Sequence, residues 1–517
     1  MKILLVEPWL TGSHKAWAEG YAANSSHEVG IVGLPGELWR WRLRGGAVPL
    51  ANQITTWIDI NGQPDLLLVS GLVDVAELLG LARRNLSPHA AVVIYQHESQ
   101  LVYPVADGNY DTGAALRNWV SWCVADLVLF NSYHHMRSVT DALPGFIAAQ
   151  PDDTHQAMIE PVTGRFEVFP VGVDLSAVPE QTPVPTLGQL NHPSSNDFDA
   201  NTNERGDDDS EAVASSTAPE NGNVASAGEV QPDVAKSVIE NSGERPVILW
   251  PHRWERDKDP AAFLAALRKL REENLDFGLV LAGQDPPSGS AISAGERAAV
   301  ESEFADNIVA SGEFDREQYL RYLSECDLVV SCARHEFFGV AIVEAVASGC
   351  VPLLPNALSY PELIRPPWHS AVLYEPGTFG TRLVDAVQRI DDLRAETIGL
   401  SSSLHRYSWG EMAPVYDERL EAVVTRLQSA AVTSGPDLSE PTSMAPDQPG
   451  SIQADTDQSG SAKADGASSP DARSDGASSP DARSDGQAET DADRPAPDES
   501  KEQQPEKRRW RQTFLGV

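Results

Sequence analysis

Two glutamates, Glu336 and Glu344, lie eight positions apart in the chain, and a turn that contains Gly339 separates them. Apolar runs precede and follow this stretch, at residues 328–331 and 351–354. A strand, a turn, a helix and a second strand in this order would place one carboxylate in the turn and the other on the helix. Both would then lie near the carboxyl end of a parallel sheet, where open α/β folds bind their ligands.

These two carboxylates are open to three interpretations. They could act as a general acid and a general base. They could accept charge-assisted hydrogen bonds from the hydroxyl groups of a sugar. They could also be a helix-dipole acid and an unrelated surface acid, although the charged groups elsewhere in the chain favour a ligand site.

Two basic residues, Arg253 and Lys258, follow an apolar strand at 246–250 and precede a helix that is expected to begin near Asp259. A diphosphate is favoured at such a place, because the backbone N–H groups and the dipole of a helix N-terminus attract anions. Fixed cations there would stabilise the charge that develops on a leaving nucleoside diphosphate. The alternative is a charged and capped turn without a ligand.

Polar residues also follow two strands in the first part of the chain. Gly12 and Ser13 come after the first strand and would let the backbone approach a phosphate, although one glycine in such a turn is a weak signal. His97 and Glu98 come directly after the strand at 92–96. A histidine in this position could equally be a structural hydrogen-bonding group or a ligand contact.

Tryptophan and arginine alternate between residues 38 and 44, in a stretch that is expected to be a loop. Interleaved aromatic and basic side chains suit stacking on nucleic-acid bases and contact with phosphates. A loop anchored in the core with solvated arginines is an equally good interpretation. The residues concerned are Trp39, Arg40, Trp41, Arg42 and Arg44.

Apolar strands alternate with helical segments in two parts of the chain, residues 1–176 and 246–427. This alternation predicts an α/β protein with two parallel, doubly wound sheets. Residues 177–245 and 428–517 are rich in Pro, Ser, Asp and Gly, and contain little that could be buried. We therefore predict a disordered acidic linker between two domains and a disordered tail.

The net charge is −37, which argues against a generally basic nucleic-acid-binding surface. Part of this charge lies in the predicted linker and tail. The tail repeats a ten-residue unit from Asp465 and from Asp475, and it ends in a basic tip at residues 507–511. That tip could contact RNA or an acidic surface, but a solvated end is the more economical interpretation.

No apolar run reaches 18 residues, so we expect no membrane span. The N-terminus carries a short apolar run followed by Glu7, unlike a signal peptide, and predicts the first strand of a cytoplasmic protein. The four cysteines, Cys123, Cys326, Cys332 and Cys350, form no CxxC pair. Buried free thiols are expected, and a structural zinc site is not.

The two-unit plan with these sites resembles the two-Rossmann (GT-B) fold of retaining glycosyltransferases. The spacing of Glu336 and Glu344 is similar to the E-x7-E motif of the large family that includes sucrose and glycogen synthases and many mannosyltransferases. Arg253 and Lys258 match the diphosphate-binding pair of that family. Further strings look like those of the tRNA-queuosine α-mannosyltransferases, at residues 12–15, 39–42, 97–104, 130–132 and 170–174.

This resemblance implies that mannose is transferred from GDP-mannose to queuosine in a tRNA anticodon. Retention suggests front-face transfer, in which a donor phosphate oxygen takes the acceptor proton, so that no metal, no cofactor and no dedicated base are needed. The subgroup has a second glycine where this chain has Thr11, which weakens the expected phosphate contact there. A glycosyltransferase for a lipid or small-glycan acceptor, and a sugar-nucleotide-binding protein without catalysis, are the alternatives.

The resemblance also implies roles for single residues. Glu336 would face the donor hexose with His97, Glu344 would hold the ribose, and Arg253 and Lys258 would neutralise the diphosphate. The complete expected donor site is Gly12, Ser13, Arg253, Lys258, Glu336, Phe338, Gly339, Val340 and Glu344. The expected acceptor or RNA site is Trp39, Arg40, Trp41, Arg42, Arg44, Glu98, Asn131 and Ser132.

Overall fold

The computed structural model describes residues 1–103, 111–151, 154–178, 245–283 and 291–433. The predicted acidic linker and the predicted tail with its basic tip fall almost entirely outside these residues. Within them, each of the two predicted α/β units contains one parallel sheet with helices on both faces.

The first sheet has six parallel strands in the order β2-β1-β3-β4-β5-β6. Its central strands are buried and mostly apolar, as expected for a sheet with helices on both faces. Strand β3, for example, is completely buried and pairs with β1 through Ile3 and Leu66. The strands are β1 Lys2–Glu7, β2 Glu28–Gly33, β3 Leu66–Ser70, β4 Ala91–Gln96, β5 Leu127–Phe130 and β6 Phe166–Val168.

Seven α-helices accompany this sheet among the described residues. Helix α6 begins where the Ser132 hydroxyl accepts a hydrogen bond from the His135 N–H, a standard N-cap. Helices α4 and α5 begin at Asp74 and Asp111 in the same way. The helices are α1 Gly12–Asn24, α2 Trp39–Gly45, α3 Ala47–Asn61, α4 Val75–Ala82, α5 Thr112–Val124, α6 Tyr133–Ala148 and α7 Ile159–Thr163.

The second sheet also has six strands, in the order β12-β11-β10-β7-β8-β9, and all its pairs are parallel. The chain therefore begins this sheet at the central strand β7 and adds β8 and β9 on one side. It then returns to the centre and adds β10, β11 and β12 on the other side. The strands are β7 Val247–Trp250, β8 Gly278–Leu281, β9 Ile308–Ser311, β10 Leu328–Val330, β11 Val351–Pro355 and β12 Leu373–Tyr374.

Short helices connect these strands, and several begin at a recognisable cap. Asp315 and Gln318 form a capping box at the start of α10. The helices are α8 Pro260–Glu272, α9 Ala291–Glu303, α10 Arg316–Glu325, α11 Val340–Ala347, α12 Tyr360–Leu363, α13 His369–Val372, α14 Phe379–Gln388, α15 Ile390–Glu396, α16 Leu400–Leu404 and α17 Trp409–Thr433.

The long helix α17 returns from the second sheet to the first and packs against α1. Asp417 is buried there and accepts hydrogen bonds from the Tyr21 and Ser25 hydroxyls and from the N–H of Ser26. The helix continues to Thr433, past the point where the disordered tail was expected to begin. Every helix in the described ranges is too short or too polar to cross a membrane.

The structure confirms one prediction about these elements and contradicts another. The alternation of strands and helices correctly predicted two parallel, doubly wound sheets. The loop expected around the tryptophans and arginines is wrong, because Trp39–Gly45 is helix α2. It is a short helix between Leu38, which has a left-handed φ of 56°, and Gly46, and it has no side-chain N-cap.

All four cysteines are free, and three of them are buried.

Candidate functional site

The strand order identifies where each sheet is expected to bind a ligand. In open α/β sheets this is the crevice at the carboxyl ends of two neighbouring strands whose connections leave in opposite directions. In the second sheet these strands are β7 and β10. The chain after β7 carries Arg253 and Lys258, and the chain after β10 carries Glu336. The fold therefore brings together the cations and the first carboxylate that the sequence predicted.

Lys258 lies in a single 3₁₀ turn, Arg256–Lys258, and only 8% of its surface is exposed. Its ammonium group is 3.1 Å from Glu336 Oε2 and 3.2 Å from Asp257 Oδ2, and it donates to the carbonyl oxygen of His335 at 2.9 Å. Three oxygen acceptors therefore surround a nearly buried charge. This arrangement fixes the ammonium beside Glu336.

Glu336 is an ionised carboxylate at physiological pH. Burial opposes its ionisation, but the charge of Lys258 and the hydrogen bond from it outweigh burial and lower the pKa of Glu336 to about 2. Glu336 Oε1 also accepts a hydrogen bond from the N–H of Phe338 at 3.3 Å. A carboxylate with such a low pKa does not serve as a general acid. It remains a strong acceptor for a sugar hydroxyl.

Glu344 occupies a different environment, on helix α11. Gly339 precedes this helix with a φ of +101°, a conformation that favours glycine, and lets the chain turn sharply from Glu336 into the helix. Arg316 Nη1 lies 2.5 Å from Glu344 Oε1, and its Nη2 donates to the carbonyl oxygen of Asp174 at 3.0 Å. The two glutamates thus have separate cations, Lys258 and Arg316. Burial nevertheless raises the pKa of Glu344, in contrast to that of Glu336.

Arg253 is half exposed and lies 3.2 Å from Glu255. Burial opposes its charge, but the nearby Glu255, Tyr103 and Asp257 outweigh burial and raise the pKa of the guanidinium group. Tyr103 belongs to the first sheet's side of the crevice. The guanidinium group of Arg253 therefore faces residues of both units.

Further contacts join the two units beside this crevice. The Glu362 carboxylate accepts hydrogen bonds from the N–H groups of Tyr133 and His134, at 2.7 and 2.5 Å, at the start of α6. The rings of His135 and Phe337 stack with their centroids 3.7 Å apart. These contacts bring the chain after β5 of the first sheet to the site of the second.

On the first sheet, Gly12 and Ser13 begin helix α1 and are exposed. Gly12 has a φ of +52°, and nothing lies within 4 Å of where its Cβ would be. The N-cap residue Thr11 makes no side-chain hydrogen bond to the helix. The first N–H groups of α1 therefore receive no cap from Thr11, and their contact with a phosphate remains a prediction.

His97 lies after β4 and packs into an aromatic and acidic cluster. Its ring lies 4.1 Å from that of His14, and it also contacts Trp17 and Tyr95. Its Nε2 atom is 3.8 Å from Glu7 Oε2. Burial and the charge of His14 hold the pKa of His97 well below its usual value, so its ring is neutral.

The predicted acceptor site also includes Glu98, Asn131 and Ser132. Glu98 is partly buried, and burial raises its pKa. Asn131 is buried and donates to the carbonyl oxygen of His97 at 2.8 Å, and Ser132 caps α6. Both side chains are thus occupied within the domain, and Asn131 helps to position His97. Their direct contact with an acceptor remains a prediction.

Helix α2 presents aromatic and basic side chains to solvent. The exposed fraction is 37% for Trp39 and 60% for Trp41. The Arg40 guanidinium lies over the Trp39 ring at 5.0 Å, and Arg44 pairs with Asp111 at 2.8 Å. Arg42 donates to the carbonyl oxygen of Pro35 at 3.2 Å. Exposed rings beside guanidinium groups could stack on unpaired bases.

The predicted site did not include three residues that contact its members: Glu7 and His14 lie beside His97, and Arg316 pairs with Glu344. Glu7 ends a buried strand, and an acid in that position is itself a signal because charges are rarely fully buried without a partner. Glu7, His14 and His97 are also the residue types that can bind a metal, and their candidate ligand atoms lie within 4.8 Å of one another. The expectation that the protein needs no metal therefore stays a prediction.

The comparisons with known proteins agree with this geometry. A family model described as tRNA-queuosine alpha-mannosyltransferase N-terminal matches residues 2–173, and one described as Glycosyl transferases group 1 matches residues 233–394. A tRNA-queuosine alpha-mannosyltransferase of Drosophila melanogaster is 30% identical over 366 residues, which are 70% of this chain and 81% of that protein.

A more distant relative is the GDP-mannose:cellobiosyl-diphosphopolyprenol alpha-mannosyltransferase of Xanthomonas oryzae pv. oryzae, 24% identical over 190 residues. That match covers 35% of this chain and 49% of the relative.

Solved structures support the fold. The sucrose-phosphate synthase of Thermosynechococcus elongatus superimposes with a TM-score of 0.52 at 14% identity and covers 84% of this chain and 98% of its own. The N-terminal domain of a Candida albicans trehalose-6-phosphate phosphatase superimposes with a TM-score of 0.51 at 11% identity, covering 83% and 96%. The predicted two-Rossmann (GT-B) fold is confirmed. Given the identity and coverage of the Drosophila protein, this chain belongs to the tRNA-queuosine alpha-mannosyltransferase family.

Proposed function

We propose that the protein is a retaining hexosyltransferase that moves mannose from GDP-mannose to queuosine in tRNA. The name of the Drosophila relative supports the acceptor and the sugar, and the name of the Xanthomonas relative supports the guanosine nucleotide. The structural observation that carries the proposal is the crevice between β7 and β10. There Lys258 and Glu336 lie 3.1 Å apart, with Arg253 on the rim.

In this proposal the second unit binds the donor. Lys258 and Arg253 neutralise the diphosphate, and the Glu336 carboxylate accepts a hydrogen bond from a mannose hydroxyl. Glu344 accepts hydrogen bonds from the ribose hydroxyls and exchanges part of its contact with Arg316 for them. The two glutamates position one sugar nucleotide, and neither needs to transfer a proton.

Transfer then proceeds on one face of the sugar. The bond between the anomeric carbon and the diphosphate oxygen breaks, and the acceptor hydroxyl oxygen forms the new bond from the same face. A donor phosphate oxygen takes the acceptor proton. Lys258 and Arg253 stabilise the charge that accumulates on the departing GDP. His97 is neutral and can accept a hydrogen bond from the sugar, while the expectation that no metal is needed remains a prediction.

The acceptor would approach from the first unit. Queuosine lies in an anticodon loop, and unpaired bases are recognised by stacking on aromatic side chains and arginines. Helix α2 offers such groups at its surface. A strongly acidic protein would then bind RNA through a local aromatic and basic surface. Such a reaction requires access to tRNA and is consistent with the cytoplasmic location expected from the sequence.

The test is transfer from labelled GDP-mannose to tRNA that contains or lacks queuosine. Label should appear only on queuosine tRNA, and nuclease digestion should release it as a mannosylated queuosine nucleoside. UDP-glucose and GDP-glucose serve as control donors in the same assay.

Three other outcomes would contradict this assignment. Label in the extracted lipid fraction would indicate a lipid acceptor, as in the name of the Xanthomonas relative. GDP-mannose binding without transfer to any RNA would indicate a binding protein. Equal transfer to tRNA without queuosine would contradict the acceptor while leaving the donor intact.

A further inference from the structure

Helix α6 of the first unit meets helix α12 of the second unit at a junction beside the crevice. The Glu362 carboxylate of α12 accepts hydrogen bonds from the N–H groups of Tyr133 and His134, the first two residues of α6, at 2.7 and 2.5 Å. The stacked rings of His135 and Phe337 extend this junction to the chain after β10, which carries the first carboxylate of the donor site. The surface around the junction therefore contains groups from both units and borders the proposed reaction site.

Two exposed arginines flank this junction, one from each unit. Arg137 lies on α6, one turn after Tyr133 and on the same face of the helix, and Arg365 follows Glu362 by three residues. Neither guanidinium group has an ion pair, a hydrogen bond or a ring contact among the described residues. Most lysines and arginines in the described ranges do pair with a carboxylate. In a chain with a net charge of −37, these two form a local positive surface that no ion pair neutralises.

Each of these arginines acts electrostatically on a residue of the other unit. Burial raises the pKa of Glu362, and the two N–H groups that it accepts and the charge of Arg137 oppose that shift. Burial and the charge of Glu362 raise the pKa of Tyr133, and the charge of Arg365 opposes this. The two guanidinium groups are therefore close to the junction, on both of its sides.

The segment that carries Arg365 is held in place by the second unit. The Arg406 guanidinium donates to the carbonyl oxygen of Leu363 at 2.6 Å, and Nε2 of His369 lies 3.1 Å from the carbonyl oxygen of Pro361. These contacts fix the backbone that leads to Arg365. Its guanidinium group thus reaches solvent from an ordered segment, so less conformational entropy is lost when it binds a ligand.

We propose that Arg137 and Arg365 bind the phosphate backbone of the acceptor tRNA, so that one RNA contacts both units at once. Arginine suits this role because its planar guanidinium group donates two parallel hydrogen bonds to a phosphate. Tyr133 is 41% exposed in the same surface and offers a ring face to an unpaired base. This inference rests on the proposed function for the identity of the RNA.

An RNA bound in this way also favours the docked arrangement of the two units. Both arginines are side by side only while α6 and α12 are joined through Glu362. A ligand that binds one arrangement better than another shifts the population towards it. Binding of tRNA would therefore stabilise the contact between the acceptor side and the donor side of the crevice.

Fluorescence anisotropy with labelled tRNA, measured on the full-length protein at several salt concentrations, tests this surface. Arg137→Gln and Arg365→Gln should each weaken tRNA binding about tenfold, as expected for one lost charge-assisted hydrogen bond. The slope of log association constant against log salt concentration should decrease in magnitude by about one in each variant. The losses should be equal for tRNA with and without queuosine, because phosphate contacts carry no base information.

Arg83→Gln is the matched control. Arg83 is also exposed and has no ion pair among the described residues, and it directly follows α4. Because α4 leads from the carboxyl end of β3 back towards the amino end of β4, Arg83 lies at the opposite edge of the first sheet from the crevice. This variant should bind tRNA normally. GDP binding and the circular dichroism spectrum should be unchanged in all three variants.

The outcomes separate this inference from the proposed function. If tRNA binding depends on both arginines but mannose is not transferred, the inference stands and the proposed function fails. If the double variant of Arg137 and Arg365 transfers mannose to queuosine tRNA with a normal KM for tRNA, the proposed function stands and the inference fails. A loss in only one of the two variants, or an equal loss in Arg83→Gln, would also overturn it. So would unchanged tRNA binding together with arginine-dependent binding of anionic phospholipid vesicles, which would assign the surface to a membrane.

Discussion

Arg253 is the residue whose loss tests the donor site with the least disturbance to the fold, because half of its side chain is exposed. It forms an ion pair with Glu255 and faces the first unit across the crevice. We expect Arg253→Ala to lower the rate constant of transfer about 10²- to 10³-fold, equivalent to about 2.7–4 kcal/mol of transition-state stabilisation. Single-turnover assays with saturating GDP-mannose measure this directly.

Arg334→Ala is a suitable control for that experiment. Arg334 is also exposed and paired, through Asp259, but it is not part of the proposed donor site. It should transfer mannose at nearly the normal rate. A normal rate for Arg253→Ala would remove Arg253 from the mechanism.

The pair of Lys258 and Glu336 predicts a pH dependence of stability. The folded state lowers the pKa of Glu336 to about 2, from an ordinary value near 4.5. The ionised pair therefore contributes its full stability above about pH 4.5, and this contribution is lost as the pH falls towards 2. Its size is on the order of 3 kcal/mol.

Lys258→Met should lower the thermal unfolding midpoint at pH 7, because it leaves the Glu336 carboxylate nearly buried without its cation. The difference from the wild type should shrink between pH 4.5 and 2, as Glu336 takes up a proton in both proteins. Differential scanning calorimetry across this range measures both effects. A difference that stays constant with pH would show that the charge of Glu336 does not depend on Lys258.

At the scale of elements, helix α2 carries the prediction for RNA. Trp41 is 60% exposed on a short helix, so its removal leaves the core intact. Stacking of a base on an aromatic ring contributes about 1–3 kcal/mol, so Trp41→Ala should weaken tRNA binding about 5- to 150-fold. Fluorescence anisotropy with labelled tRNA gives this change, and GDP titration should show no effect.

Ile60→Ala is the matched control for Trp41→Ala. Ile60 is 76% exposed in α3, and the neighbouring Asn61 accepts a hydrogen bond from Lys2 at the amino end of β1. Ile60 thus lies near the opposite edge of the sheet from the site. Unchanged tRNA affinity in Trp41→Ala, or an equal loss in Ile60→Ala, would rule out α2 as the stacking surface.

Local patterns predict most elements but not all of them. Strands such as Leu66–Ser70 are continuous apolar runs, so burial on both faces can be predicted from the residues alone. Helix α2 was predicted as a loop, because seven residues dominated by tryptophan and arginine show no helical periodicity and no cap. Within this helix Leu43 is buried, a contact that the alternation of tryptophan and arginine does not indicate.

At the scale of the whole molecule, the sequence could not indicate which distant residues meet. Glu336 and Lys258 could be paired in advance, because both follow strands at the same edge of one sheet. Glu7, His14 and His97 meet only once the order of β1, β3 and β4 is known. The contact of Tyr21 with Asp417 joins residues 396 positions apart, and no local pattern specifies it.

The same return of α17 to the first unit gives a prediction for the whole molecule. Trp409 begins α17 and packs between two glycines. A Cβ atom at Gly20 would lie 2.0 Å from Trp409 Nε1, and one at Gly172 would lie 2.4 Å from its ring. The absence of these two methyl groups allows the indole to join the helix, α1 and the connection after β6.

Gly20→Ala should therefore displace Trp409 and destabilise the protein, even though alanine is the better helix former. Overpacking costs about 1–3 kcal/mol, which corresponds to a midpoint lower by roughly 2–6 °C. Gly80→Ala is the matched control, because Gly80 also lies in a helix and nothing is within 4 Å of its missing Cβ. That variant should be unchanged or more stable by up to about 1 kcal/mol.

A double variant distinguishes a local clash from a general effect on α1. Trp409→Leu removes the ring that the added methyl group would meet, so adding Gly20→Ala to Trp409→Leu should cost much less than Gly20→Ala alone. Thermal unfolding of the wild type, the two single variants and the double variant gives the coupling free energy between the two positions. Additive losses would mean that α1 and α17 do not meet at Trp409, and the return of the chain to the first unit would then need another anchor, such as Asp417.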